Sequence, residues 1–363
     1  MNDQSSCLTH CVMPPPLSVL MSVYNGERYL ASSLDTLLDQ TFKDFELLIA
    51  DDRSTDRTRE ILMLYAAKDS RIRILDGSRE GLGVVRNLLV SAASAPLIAW
   101  LDADDLAYPT RLQKQMRFMQ DNPEIVAAGT SVRVIDEDGA VIKTDIRPGD
   151  HESIDSELIE YRHNAIFFPS SIVRADALDQ VGGFRNEFPV GCDTDLWLRL
   201  AEIGKLANLP EILLDYRWHA ESNSWKVPHW QRERAMLAIN DARRRRGMEA
   251  LPSSLQTASH AETPRCKIHD TWSAVALHSG NPATARKHAW KSLRLNLTLP
   301  RPWKTLALAY FPLEDDRTRP ALARPFVSAI RRVCFAVSRW LDSHNASNES
   351  AGSQGNVADR SAI

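Results

Sequence analysis

The sequence predicts an α/β fold: a parallel sheet that turns mixed in its second half, flanked by helices, with a helical extension at the C-terminal end. Three observations predict it. Short apolar runs alternate with amphipathic stretches over the first hundred residues, acidic clusters stand where two of those runs end, and from Pro228 onward only helical periodicity is left.

The elements follow in order. Pro14-Pro15-Pro16 lead into Leu17–Val23 (LSVLMSV), a largely apolar run with the pattern of a strand buried on both faces. Between Gly26 and Gln40, Tyr29, Leu30, Leu34, Leu37 and Leu38 recur at helical spacing, with Asn25 as the expected N-cap. The unit repeats: strand Phe45–Ala50 ending in Asp51-Asp52, helix Thr55–Asp69, strand Arg71–Leu75, helix Leu82–Ala93 and strand Leu97–Leu101. Strands alternating with helices imply a parallel sheet covered on its faces. Past Asp105 the pattern changes. A helix over Pro109–Asp121 precedes a strand at Ile125–Ile135 and an Asp138-Gly139 turn; further strands are expected at Ile166–Val173 and Ile212–Trp218, with a helix from Asp193 to Ile203 between them. Residues Trp272–Pro312 loosely resemble one helical-repeat unit without a second copy. The expected organisation is a flexible stretch 1–16, a main domain 17–225, a helical region 226–342 and a disordered polar tail 343–363.

Bulk properties exclude some classes of function. The 363 residues are 44% hydrophobic, enough for a substantial core, and the net charge of −3 gives no reason to expect a nucleic-acid partner. The five cysteines are scattered without C-x-x-C spacing, which argues against a disulfide framework or a zinc site and favours a reducing, cytoplasmic compartment. Residues 1–16 carry neither a basic segment nor an apolar run, so no signal peptide is expected. No stretch of about eighteen apolar residues is present to span a membrane. Phe326, Ile330, Val333, Phe335 and Val337 among Arg331, Arg332 and Arg339 suggest a peripheral contact with the inner face of the cell membrane; docking on the main domain is the competing reading.

In an open parallel sheet, ligands bind beyond the carboxyl ends of the strands. Two acidic groups fall there, Asp51-Asp52 and Asp102-Ala103-Asp104-Asp105. Adjacent carboxylates repel unless a cation or donor stabilises them, and Mg²⁺ or Mn²⁺ with substrate phosphates suits an all-oxygen set. Helix capping competes as the explanation for either cluster.

The segments LSVLMSVYNGERYLASSLDTLLDQTFKDFELLIADDRSTDRT, EGLGVVRN and LIAWLDADDLAYPTRLQKQM resemble a family 2 glycosyltransferase, over about residues 17 to 220. The resemblance implies the GT-A fold, a Rossmann-like mixed sheet between helices, and inverting transfer of sugar from a nucleotide-sugar donor to a glycan or lipid-linked acceptor in cell-surface polysaccharide synthesis. It places Val23, Asn25, Asp51 and Asp52 at the nucleotide. It makes Asp102-Ala103-Asp104 the D-x-D motif that holds diphosphate and metal, Mn²⁺ or Mg²⁺, and turns Arg86 of G-L-x-x-x-R-N toward the donor. A buried salt bridge is the plainer account of Arg86. GGFRNEFPVGCDTDLWLRLAEIG resembles the later acidic motif and makes Asp193 the catalytic base, with N-capping by Asp193 or Asp195 as the alternative. YRWHAESNS resembles the segment that closes over the diphosphate, which gives His219 a metal-ligand role against that of an ordinary strand-end histidine.

Two positions depart from the family pattern. Cys192 replaces the usual glutamate before the base, and Arg53 replaces the glycine of D-D-G-S-x-D, so the turn there is either not left-handed or strained. Two other readings use the same carboxylates: a metal-dependent nucleotidyl or phosphoester enzyme, and a non-catalytic nucleotide-sugar-binding scaffold. The ten histidines do not cluster with the carboxylates, which weighs against the first, and retention of Asp102, Asp104 and Asp193 together weighs against the second.

Overall fold

A computed structural model describes residues 14–160, 165–188, 191–226, 228–252 and 263–310. Its elements run β1 (Leu17–Val23), α1 (Leu30–Leu38), β2 (Glu46–Asp51), α2 (Thr58–Ala66), β3 (Ile72–Asp76), α3 (Leu82–Ala92), β4 (Leu97–Trp100), β5 (Leu106–Ala107), α4 (Arg111–Asp121), β6 (Ile125–Ile135), β7 (Val141–Asp145) and α5 (His151–Ile159). They continue with a 3₁₀ turn (Phe168–Ser170), β8 (Ile172–Arg174), α6 (Ala175–Gln180), α7 (Cys192–Leu200), β9 (Lys205–Arg217), α8 (Asn223–Lys226), α9 (Pro228–Arg245), α10 (Arg265–His278), α11 (Pro282–Leu295) and α12 (Pro300–Tyr310). By internal contact the described residues form two units. One holds 14–135, 144–218 and 228–252; the other holds 136–143, 219–226 and 263–310.

The first unit is built on a sheet of order β3-β2-β1-β4-β8-β6-β9-β5. The β3-β2-β1-β4 half is parallel, as the alternating pattern predicts. Beyond β4 the sheet is mixed: β8 runs antiparallel to β4 and β6, β9 parallel to β6, and β5 antiparallel to β9. The apolar runs of β1 and β4 are buried along nearly their whole length, which is what a strand covered by helices on both faces requires. Trp100, Phe168, Phe184 and Trp197 meet in one aromatic cluster, with centroid separations of 4.8 Å for Trp100–Phe168 and 6.1 Å for Phe168–Trp197. Truncating any of them to alanine would cost on the order of 3–5 kcal/mol.

Three expected elements differ. The helix after Gly26 begins only at Leu30, and Asn25 does not cap it: its φ is +51°, and its Oδ1 accepts from the Thr55 N–H at 2.8 Å, on the neighbouring loop. The strand expected over Ile166–Val173 is broken by the 3₁₀ turn, because Pro169 has no N–H to give a ladder, so only Ile172–Arg174 pairs. The strand expected at Ile212–Trp218 is the end of the longer β9, whose register against β6 shifts near Thr130 and Ser131. Helix α5 was not foreseen; the Asp150 carboxylate caps it by accepting from the Ser153 N–H at 2.8 Å.

In the second unit, α10, α11 and α12 bury Ala289, Leu293 and Leu306 with Trp303 packed on them. Trp272 is fully buried, its ring edge-on to those of His269 and His288. Among the described residues no helix is long and apolar enough to cross a membrane. The Phe326–Val337 stretch and the tail 343–363 lie outside the described residues, as do residues 1–13.

Candidate active site

Register places the candidate residues. Val23 pairs with Asp51 and Asp51 with Asp76, while Trp100 at the end of β4 pairs with Leu20. The carboxyl ends of β1 to β4 therefore form one edge, with Asp51-Asp52 beyond β2 and Asp102 to Asp105 beyond β4. Loops hold this edge together. The Asn25 N–H donates to Ser54 Oγ at 3.0 Å, the Glu27 N–H to Asp56 Oδ2 at 3.1 Å and the Arg57 N–H to Glu27 Oε2 at 3.0 Å, so the loop after β1 is bonded reciprocally to the loop after β2.

Neither acid of the first pair caps a helix. Asp51 Oδ1 accepts from the Ser54 N–H at 3.0 Å, and Asp52 Oδ1 accepts from the Arg79 N–H at 2.8 Å. Val23 supplies its carbonyl to the Asp52 N–H at 2.8 Å. Between the two acids and β3 stands Gly77, where an added Cβ would come within 2.5 Å of Asp52 Oδ1. Only glycine fits there. Arg53 has φ +61°, so the turn is left-handed and the arginine sits in a conformation glycine adopts freely. The Arg79 guanidinium lies 3.1 Å above the centroid of the half-exposed Tyr24 ring.

In the second cluster, one carboxylate oxygen from each of Asp102, Asp104 and Asp105 lies within 4.8 Å of the others. Burial pushes the Asp102 carboxyl up to about 6, with Asp104 and Asp193 adding to the rise and Arg86 and Arg111 opposing it. Burial, then the neighbouring Asp104 and Asp102, holds Asp105 well above the usual carboxylate range. Asp105 Oδ1 accepts from the Arg217 N–H at 2.7 Å, while its Oδ2 is buried with no hydrogen-bond partner. Three clustered carboxylates with a buried oxygen unsatisfied fit a hard divalent cation, which would be held by Asp102 and Asp104 with Asp105 beside them. Ala103, between them, is nearly buried and its carbonyl accepts from Ser33 Oγ at 2.9 Å.

Two arginines that the sequence reading did not single out serve this cluster. Arg111 is fully buried, and its Nη2 donates to the Trp100 carbonyl at 2.6 Å; burial lowers its pKa to about 10, with Asp105 and Asp102 working against that drop. Arg217 donates through Nε to the Asp104 carbonyl at 2.8 Å. An arginine on an amphipathic helix looks like a surface residue in sequence, so only the packing of α4 under the β4 end reveals Arg111.

Asp193 lies in the first turn of α7. The N-cap is Gly191 at φ +68°, with no side-chain cap, so capping explains neither Asp193 nor Asp195. Asp195 is bonded instead to Arg185 and to Arg199 Nη2, the latter at 2.6 Å. Arg86 makes no carboxylate ion pair among the described residues; its Nη1 donates to Cys192 Sγ at 3.0 Å and its guanidinium lies 3.6 Å above the centroid of Phe168. The structure thus brings Arg86, Asp104, Asp105 and Asp193 within electrostatic reach of Asp102, with Asp51-Asp52 on the same sheet edge. His219 belongs to the segment 219–226 of the second unit, where its carbonyl accepts from the Ser222 N–H at 3.1 Å.

Comparison with known proteins identifies the family. Residues 18–182 match the model of glycosyl transferase family 2. A Bacillus subtilis protein named as the glycosyltransferase EpsE is 34% identical over 58% of this chain and 76% of its own length. The O-antigen biosynthesis glycosyltransferase WbnJ of Escherichia coli is 33% identical over 57% of this chain and 81% of its own. The fold is shared with residues 1–349 of S. aureus TarS in its complex with UDP-GlcNAc, at TM-score 0.52 and 16% identity over 92% of each chain. The chain therefore belongs to glycosyl transferase family 2 and is a glycosyltransferase, which moves a sugar from a nucleoside-diphosphate donor to an acceptor.

Proposed function

We propose that the chain adds a sugar to a growing glycan or lipid-linked saccharide of a cell-surface polysaccharide, with inversion at the anomeric carbon, on the cytoplasmic side of the membrane. The observation that carries the mechanism is the electrostatic contact between Asp193 and the Asp102–Asp104 cluster at the carboxyl edge of the sheet. The acceptor and compartment rest on the sequence resemblance and on the O-antigen role named for WbnJ.

In this reading Asp51 and Asp52 receive the nucleoside from the β2 end, where Gly77 leaves room for Asp52 and the loop after β1, with Val23 and Asn25, forms the opposite wall. Asp102 and Asp104 hold a divalent cation, Mn²⁺ or Mg²⁺, which when bound neutralises charge that develops on the diphosphate. Asp193 takes the proton of the acceptor hydroxyl; the oxygen lone pair forms the new bond to the anomeric carbon as the bond from that carbon to the phosphate oxygen breaks, and its electron pair leaves with the nucleoside diphosphate. His219, described with the second unit, enters this reading through the sequence resemblance alone.

The test is to incubate the protein with UDP-, GDP- and dTDP-sugars, with and without Mn²⁺, and follow nucleoside-diphosphate binding and release. Metal-dependent binding of one donor class that Asp104→Ala abolishes, with turnover lost in Asp193→Asn while donor binding stays, is the expected result. Donor binding that ignores both metal and Asp104 would overturn the metal assignment, and turnover surviving in Asp193→Asn would overturn the base.

A further inference from the structure

The sugar of the donor has a restricted place in this site. In-line displacement puts the anomeric carbon between the diphosphate, held at Asp102 and Asp104, and the base Asp193. Arg86 is tied to both ends of that line: it is in electrostatic contact with Asp102, and it is bonded to Cys192, the residue immediately before Asp193.

Arg86 is 7% exposed, and its surroundings are unusual for a buried cation. Below it is the Phe168 ring; beside it is the Cys192 Sγ at 3.0 Å; its Nε is buried with no hydrogen-bond partner. Burial also keeps the Cys192 thiol protonated, so the thiol brings no countercharge. The electrostatic contact of Arg86 with Asp102, of the acidic cluster, is not an ion pair. A buried guanidinium favours a carboxylate, with charge-assisted bonds about twice as strong as neutral ones. In the family pattern that the sequence resembles, a glutamate stands at position 192; in this chain the residue is a cysteine, which carries no carboxylate.

We propose that Cys192, by leaving Arg86 without a carboxylate partner beside the donor sugar, makes this enzyme selective for donors whose sugar carries its own carboxylate, that is, nucleoside-diphosphate uronic acids. The uronate completes the ion pair that residue 192 does not. Restoring the protein carboxylate fills the guanidinium from within and repels the ligand's. Cys192 is then a specificity-determining residue acting through Arg86. This inference rests on the proposed placement of donor and base.

The experiment compares the binding of nucleoside-diphosphate uronic acids with that of the matched neutral sugars of the same nucleotide and configuration, by competition in the presence of Mn²⁺. The wild type is expected to prefer the uronate by roughly tenfold or more. Cys192→Glu is expected to abolish or reverse that ratio, and Cys192→Ser, which keeps a neutral group beside Arg86, to retain it. Equal binding of uronate and neutral donors by the wild type overturns the proposal without needing any variant. So does a uronate preference that Cys192→Glu leaves unchanged while the variant still binds the free nucleoside diphosphate. In both cases nucleotide binding persists and the proposed function stands; failure to bind any nucleoside diphosphate would instead bring down both.

Discussion

Asp195 Oδ2 accepts two hydrogen bonds from Arg199, at 3.0 Å from Nε and 2.6 Å from Nη2, and the same arginine donates to the carbonyls of Val181 and Gly183. Asp195 is almost completely buried, whereas Asp193, two residues earlier on the helix, is not. The two carboxylates of one motif therefore do different things. Asp195→Asn leaves two buried arginine contacts without their charge and should cost about 3–5 kcal/mol, seen as a lower urea midpoint. Asp193→Asn should leave that midpoint within about 0.5 kcal/mol and remove turnover.

Beneath the acidic cluster, Arg111 is the fully buried cation that opposes the charges of Asp102 and Asp105. Arg111→Met keeps most of the volume and removes the charge. The carboxyls of both acids should then rise further, so Mn²⁺ binding, measured by calorimetry, should weaken and shift to higher pH. An unchanged Mn²⁺ affinity at pH 6 would show that Arg111 is only a strut.

The Asp102 carboxyl, raised to about 6, also gives the metal-free protein a pH dependence. Its folded-state value lies above its unfolded one, so its contribution is full below the unfolded value near 4 and is lost as pH rises through 6. A cation bound by the ionised form reverses this. The stabilisation by Mn²⁺ should be small at pH 5 and grow up to pH 7, which melting curves with and without the ion would read directly.

In the second unit His288 Nε2 lies 2.8 Å from Asp136 Oδ2, and its Nδ1 lies 3.1 Å from His269 Nδ1. Burial first, and then the neighbouring His288, lowers the His269 pKa to about 4. A depressed histidine is stabilising above its unfolded value near 6.5 and that contribution is lost as pH falls through 4, by at most about 1.4 kcal/mol per pH unit. The protection factors of amides in α10 and α11 should fall between pH 6.5 and 4, and His269→Phe should flatten the dependence.

Arg53 occupies a left-handed position at φ +61°. Arg53→Gly removes the Cβ clash at the expense of unfolded-chain entropy, and the balance should stabilise by about 0.5–1 kcal/mol. A denaturant midpoint that falls would mean the arginine side chain makes a compensating contact.

Sequence alone determined the parallel half of the sheet, because strands buried on both faces must be continuous apolar runs, and LSVLMSV and LIAW have no other comfortable place. It also determined the acidic residues at the strand ends, since those positions follow directly from where the runs stop. Other features needed the tertiary structure. The break at Pro169, the register shifts of β9 and the late start of α1 depend on what each backbone group finds across the sheet or in the next loop. So do Arg111 beneath the cluster, Gly77 against Asp52 and the different burial of Asp193 and Asp195. A carboxylate or guanidinium has the same formula everywhere in a sequence; burial and the nearest opposite charge decide what it does, and only the folded chain supplies those.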